Sequence, residues 1–112
     1  MSLVLVVKDD PTARSILTQT LVEEGYSVRT APDGRSALSV VDEERPGAVV
    51  SESIMPGLDG WSLAAHLRMR ARPIPVVLMS SASVVPPVPS VRVIHRPVAP
   101  SELCAAVAEA IA

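Results

Sequence analysis

The sequence predicts an α/β fold, a three-layer sandwich in which helices cover both faces of a five-stranded parallel sheet. Runs of consecutive aliphatic residues are typical of strands that are buried on both faces. Segments with apolar residues at helical spacing alternate with these runs, which favours a parallel sheet with right-handed crossovers. The 112 residues, 48% of them hydrophobic, suit a single domain over residues 1–112 with a substantial core.

The first half of the chain predicts two strand–helix units. The aliphatic run at residues 3–7 forms the first strand. Asp10, followed by a proline, predicts a helix start, because an aspartate side chain caps free N–H groups and proline fits the first turn. Gly25 supplies the end of this helix. A short strand candidate at residues 26–30 follows, and Asp33 opens the second helix.

The second half of the chain predicts three strands and two helices. The strands cover residues 48–51, 76–79 and 91–95. Residues 52–58 contain proline and glycine and are predicted as a loop, so that Glu52 follows the third strand. Asp59 caps the third helix. The last helix begins at Pro100, and Cys104 lies in its apolar pattern as inert core filling.

Three arginines, Arg68, Arg70 and Arg72, close the third helix in this prediction. Positive side chains suit the C-terminus of a helix, because the aligned peptide dipoles leave partial negative charge there. We interpret these arginines as a solvated helix terminus. The alternative is an anion site.

The composition excludes several functional classes. The net charge is −2, which gives no basic field, so we expect no direct binding to nucleic acid. No apolar run is long enough for a membrane span, and we expect no contact with a membrane. The single cysteine cannot form an internal disulfide, which suits a reducing cytoplasm.

Charged and hydroxyl residues follow the carboxyl ends of four predicted strands. Sites in open parallel sheets form at these ends, so we expect the side chains to share one pocket. It would combine three carboxylates, two cations and two hydroxyls. The residues are Lys8, Asp9 and Asp10 after the first strand, Glu52 after the third, Ser80 and Ser81 after the fourth, and Arg96 after the fifth.

Other residues carry weaker signals. His66 and His95 have no second histidine at ligand spacing and are interpreted as surface or packing residues, with phosphorylation of His95 as an alternative. No Gly-x-Ser-x-Gly motif supports Ser80 or Ser81 as a hydrolase nucleophile. Trp61 is interpreted as a packing residue rather than a binding anchor. A proline-rich segment is either a rigid connector or a docking strip for a partner. Its prolines are Pro86, Pro87 and Pro89.

The chain resembles the receiver domains of response regulators over essentially its whole length. The matching stretches, in order, are residues 3–14, 24–38, 45–60, 75–80 and 95–97. The resemblance implies a flavodoxin-like fold with strand order 2-1-3-4-5 and a cytoplasmic role in bacterial two-component signalling. The implied partners are a histidine kinase or an output domain. The segment between Ser80 and Arg96 is shorter than is usual in receivers and rich in proline, so we expect the family's fourth helix to be reduced or missing.

The chain departs from the receiver pattern at the positions that carry phosphoryl chemistry. Receivers have an acidic pair that holds magnesium after the first strand, but here Lys8 replaces its first member and only Asp9 remains. Glu52 stands at the phosphoacceptor aspartate. Arg96 replaces the family's lysine, before a proline whose peptide bond we expect to be cis. Ser80 keeps the hydroxyl of the switch, whereas Val93 replaces its aromatic partner.

These departures predict a degenerate receiver that is not an enzyme and acts by binding a protein. The formal charges of four pocket residues, Lys8, Asp9, Glu52 and Arg96, sum to zero, so we expect no metal or cofactor. We expect the ammonium of Lys8 to replace the dication by pairing with Asp9 or Glu52. A version in which Glu52 reaches Ser80 and Arg96 and imitates the phosphorylated state stays open. The alternative function is a working phosphoacceptor that uses magnesium, with Asp9 as residual ligand, and is phosphorylated on Glu52 or Asp9.

Overall fold

A computed structural model describes residues 2–82 and 88–112 as alternating strands and helices. The strands are β1 (Leu3–Val7), β2 (Ser27–Ala31), β3 (Ala48–Glu52), β4 (Val76–Ser80) and β5 (Val91–His95). The helices are α1 (Pro11–Glu23), α2 (Gly34–Glu44), α3 (Gly60–Arg68) and α4 (Pro100–Ile111). No helix in these described ranges combines the length and the apolar character that crossing a membrane requires.

The sheet has the order β2-β1-β3-β4-β5, and every neighbouring pair is parallel. The predicted strand order is therefore confirmed. Three strands differ from the prediction at their ends. Glu52 and Ser80 are the last residues of β3 and β4 rather than loop residues, and β2 covers Ser27–Ala31 rather than 26–30. The backbone of Glu52 pairs with Met79 of β4, and the strand extends to the carboxylate because cationic side chains neutralise it there.

The two faces of the sheet carry separate apolar clusters. Alternate residues of β1 point to opposite faces, so Leu5 and Val7 join one cluster whereas Val4 and Val6 join the other. Helices α2 and α3 cover the first face, and α1 and α4 cover the second. Trp61 packs against the first cluster, as predicted for a packing residue.

Aspartates cap three of the helices as the sequence predicts. The side chains of Asp10, Asp33 and Asp59 each accept a hydrogen bond of 2.8 Å from a backbone N–H in the first turn. The hydrogen bond from Ser36 lowers the pKa of Asp33. The start of each helix, and with it the loop that precedes it, is therefore fixed locally.

The described residues that lead from α3 to β4 and from β4 to β5 form loops. Helix α3 ends at Arg68, so Arg70 and Arg72 lie in the following loop rather than in the helix. The described residues between β4 and β5, 81–82 and 88–90, are not helical. Pro86 and Pro87, on which the connector and docking interpretations depend, lie outside the described residues. The Arg96–Pro97 peptide bond is cis, as expected.

Gly60 brings the start of α3 against the end of β3. Its N–H donates to the carbonyl oxygen of Ser53 at 3.0 Å. A Cβ atom at this position would overlap the carbonyl oxygen of Glu52. Only glycine allows this approach, so the position of Glu52 depends on a residue that carries no side chain.

Candidate functional site

Three charged side chains meet at the carboxyl edge of the sheet. Lys8 follows β1, Glu52 ends β3, and Arg96 follows β5. Because β1 and β3 are neighbours with Val7 opposite Ser51, the next residues, Lys8 and Glu52, come side by side. The Nζ of Lys8 and the Nη2 of Arg96 both contact Oε1 of Glu52. One carboxylate oxygen therefore holds two cations.

Burial of this cluster is uneven. The exposed fraction is 13% for the side chain of Lys8, 9% for Glu52 and 36% for Arg96. Burial lowers the pKa of Lys8, the Arg96 guanidinium lowers it further, and Asp9 and Asp10 act in the opposite direction. Lys8 and Glu52 thus form the inner pair, and Arg96 closes the cluster from the solvent side.

Asp9 and Asp10 do not enter the cluster, which corrects the prediction of three converging carboxylates. Both are exposed. Oδ2 of Asp10 accepts from the N–H of Ala13 at 2.8 Å, and Oδ1 of Asp9 accepts from the N–H of Asp10 at 2.9 Å. The helix start competes for these carboxylates, because its free N–H groups need acceptors. Of the two predicted partners of Lys8, Glu52 is the one in contact.

The two serines after β4 in the prediction differ in burial. Ser80 is buried and its Oγ accepts from the N–H of Ala82 at 3.0 Å, whereas Ser81 is exposed. Within the described part of the chain, no hydrogen bond joins Ser80 to Glu52. Nδ1 of His95 lies 3.1 Å from the carbonyl oxygen of Ala82. Val93, which the resemblance to receivers aligns with the switch aromatic, is half-buried against the cluster of the α2–α3 face.

Arg14 is a site residue that sequence reasoning missed. Its Nη1 donates to the carbonyl oxygen of Lys8 at 2.9 Å from the first turns of α1. The N–H of Lys8 donates to Ala31 at 3.1 Å. The backbone of Lys8 is therefore held from both sides. Arg14 follows Lys8 by six residues, and this spacing does not predict a contact because the interaction joins a helix to a loop.

The donor set does not suit the divalent metal that receivers hold. The cluster contains one carboxylate and two cations, an excess of one positive charge. Magnesium and calcium need several oxygen ligands, mostly carboxylates. Within residues 2–82 and 88–112, no group of three or more His, Cys, Asp or Glu side chains is arranged to bind a metal ion. The cluster lines an open cavity of about 510 Å³ that also contacts Ile16 and Pro97.

Asp10 offers a local test of its capping role. We expect Asp10→Ala to lower the free energy of unfolding by about 1 kcal/mol, because α1 loses its N-cap. Asp10→Asn should change it little, since asparagine caps as well as aspartate. Urea unfolding followed by circular dichroism measures both. An equal loss in the two variants would contradict the capping role and favour a role for the charge.

Comparison with known proteins finds a matching family and related sequences. The chain matches the response regulator receiver domain family over residues 4–108. It is 38% identical over 82 residues to the transcriptional regulatory protein TcrA of Mycobacterium tuberculosis (strain ATCC 25618 / H37Rv), covering 73% of this chain and 32% of that protein. It is 40% identical over 78 residues to the response regulator MprA of Mycolicibacterium vanbaalenii, covering 70% and 34%. The chain spans about a third of the length of these curated relatives.

Solved structures of similar proteins share the fold of this chain. The chemotaxis protein CheY4 of Vibrio cholerae superposes with a TM-score of 0.86 at 24% identity, over 98% of both chains. The receiver domain of the hybrid histidine kinase CckA superposes with a TM-score of 0.84 at 28% identity, over 98% of this chain and 99% of that one. These structures share the fold described above, and the match over residues 4–108 shows that this chain belongs to the response regulator receiver domain family.

Proposed function

We propose that this receiver domain is a degenerate one, which acts in two-component signalling by binding a protein partner and is not phosphorylated. The contact of Lys8 and Arg96 with a single oxygen of Glu52 carries this proposal. In the family, the equivalent position is the nucleophile. Here its carboxylate is the anionic partner of two side chains of the same domain.

Charge and geometry both oppose phosphoryl transfer at Glu52. Transfer requires an in-line carboxylate with a metal that neutralises the phosphoryl oxygens. The ammonium of Lys8 already lies on the carboxylate, and the cluster has excess positive charge, so a dication would be repelled. Glutamate also carries one more methylene than aspartate, which moves the carboxylate by about 1 Å, and misplacement of that size can cost about a hundredfold in rate.

The switch positions favour a domain with one state. A ligand shifts a conformational equilibrium only when it binds two states differently. Val93 provides no aromatic ring to move, and Ser80 is bonded to the backbone of Ala82 rather than to Glu52. The contact of Glu52 with Arg96, without Ser80, supports a fixed pocket more than a copy of the phosphorylated one. The partner therefore recognises a constant surface, and the partner class is a histidine kinase or an output domain.

The intact mass of the protein tests this proposal. After incubation with acetyl phosphate and magnesium, we expect no addition of about 80 Da, the mass of one phosphoryl group. We also expect no change in the amide spectrum when beryllofluoride and magnesium are added. A labile adduct on Glu52 or Asp9 would overturn the proposal in favour of a working, magnesium-dependent phosphoacceptor.

A matched variant shows that the assay can detect phosphorylation on this scaffold. The triple substitution Lys8→Asp, Glu52→Asp and Arg96→Lys restores the family's residues in one domain. We expect this variant to gain the adduct of about 80 Da. Gain in the variant together with no gain in the native domain supports the proposal, whereas equal labelling of both contradicts it.

A further inference from the structure

A second cavity lies at the opposite edge of the sheet from the charged cluster. It is an open cavity of about 610 Å³, bounded by the C-terminal end of α2, by the segment that follows α3 and by the residues that lead into β3 and β4. Three of its lining residues are arginines: Arg45, Arg70 and Arg72. They lie on two different segments of the chain, so the fold rather than the sequence brings them together.

The three guanidinium groups have little internal neutralisation. Nη1 of Arg70 contacts Oδ1 of Asp42 at 2.5 Å. The Nε–H of Arg70 is buried and has no hydrogen-bond partner among the described residues. Arg45 and Arg72 are exposed and have no ion pair within the described part of the chain. Arg70 is therefore engaged with Asp42, whereas Arg45 and Arg72 keep guanidinium groups that can bind an anion.

The charge balance of this cavity is positive. Its lining contains three guanidinium groups and one carboxylate, that of Asp42, an excess of two positive charges. The C-terminus of a helix is equivalent to about half a negative charge, so α2 and α3 together offset about one of these. Helix α3 ends at Arg68, which places Arg70 and Arg72 beyond the last turn, where the dipole has largely faded. Neutralising the helix ends does not account for all three arginines.

We propose that this cavity binds a small phosphorylated molecule of nucleotide size. A guanidinium fork donates two parallel hydrogen bonds to a phosphate, and the exposed guanidinium groups of Arg45 and Arg72 offer such donors at this cavity. The volume lies in the range of small-molecule sites. Pro73 and Ile74 add apolar wall that suits an uncharged ring.

Titration of the isotopically labelled protein with adenosine 5′-monophosphate tests this site. We expect saturable amide shifts confined to residues 41–47 and 70–75, and much smaller shifts with adenosine, which has the ring but no phosphate. Raising the salt concentration should weaken binding, because the contact is electrostatic. Absence of saturable shifts with the nucleotide, or equal shifts with adenosine, overturns the proposal. Tighter binding of a tetraglutamate peptide than of the nucleotide also overturns it, in favour of an acidic protein segment.

Two variants and one control localise the binding. Arg72→Gln removes an exposed cation, and Arg45→Asn removes one while keeping a residue that tolerates the left-handed backbone at φ 49°. Each should weaken nucleotide binding about tenfold or more, the effect of one lost charge-assisted contact. Arg35→Gln removes the same charge at the other end of α2 and should leave binding unchanged. Equal affinity in all three variants contradicts the site.

Discussion

Glu52→Gln is expected to lower the free energy of unfolding by about 3 kcal/mol or more. Removing one partner of a buried ion pair leaves the other charge uncompensated, which destabilises a protein by about 3–5 kcal/mol. Here the loss leaves two cations, Lys8 and Arg96, facing each other beside an uncharged amide. Arg96 is partly exposed, so solvent takes up part of its charge and the lower end of the range applies.

Urea unfolding measures this effect, with Glu109→Gln as the control. Glu109 pairs with Arg92 at the surface, where both side chains are more than half exposed. Exposed pairs contribute at most about 1 kcal/mol, so the control should lose little. If Glu52→Gln loses no more unfolding free energy than the control, the cluster does not stabilise the carboxyl edge of the sheet.

The effect of Glu52→Gln should also depend on pH. Burial and Arg96 already lower the pKa of Lys8 below its ordinary value of 10.5. Between the lowered pKa and 10.5, the unfolded chain binds more protons than the folded one, so stability rises with pH. The ammonium of Lys8 loses its contacting anion in the variant, and an ammonium without an opposite charge has a lower pKa. The stability deficit of the variant should therefore shrink as the pH rises toward 10.5. A deficit that grows with pH would contradict this account.

Gly60→Ala is expected to cost about 3 kcal/mol of unfolding free energy. Overpacking a well-packed site costs about 1–3 kcal/mol, and the upper end applies because the new Cβ meets backbone. The atoms in its way are the carbonyl oxygen of Glu52 and, at 2.9 Å, Cδ2 of Leu78. A carbonyl of a paired strand cannot rotate aside, so either α3 or the end of β3 must shift.

Gly47→Ala provides the matched control for this prediction. A Cβ there meets nothing closer than 3.7 Å. Its effect on the urea midpoint should be small. In Gly60→Ala we also expect the amide shifts around Glu52 and Lys8 to change, because the clash lies on the strand end that carries the site. Equal stability of the two alanine variants would show that α3 accommodates the methyl without moving β3.

The fold was largely predictable because its signals are local. Runs of aliphatic residues, and aspartates such as Asp10 and Asp59 at helix starts, each specify their own segment without reference to the rest of the chain. The strand ends were less predictable. Glu52 is predicted as a loop residue because the proline and glycine within residues 52–58 indicate a loop. Its neutralising partners are 44 positions away at Lys8 and similarly distant at Arg96.

The site was predictable as a set of strand ends but not as a set of contacts. Residue type placed Lys8, Glu52 and Arg96 at one edge of the sheet, and the resemblance to receivers gave each position its meaning. Which carboxylate Lys8 contacts depends on the first turn of α1, where Asp9 and Asp10 accept backbone N–H groups instead. The opposite cavity is not predicted from the sequence. The sequence offers only an anion site at Arg68, Arg70 and Arg72 as an alternative, and Arg45 joins Arg70 and Arg72 through the packing of two separate segments.

The shared oxygen of Glu52 has a consequence for how this sequence can evolve. Three positions that meet at one atom cannot have independent substitution effects. A lineage that replaced the lysine first, or the glutamate first, would pass through intermediates of different fitness. The same replacement can therefore be tolerated in one sequence background and destabilising in another, and the order in which the three positions change matters.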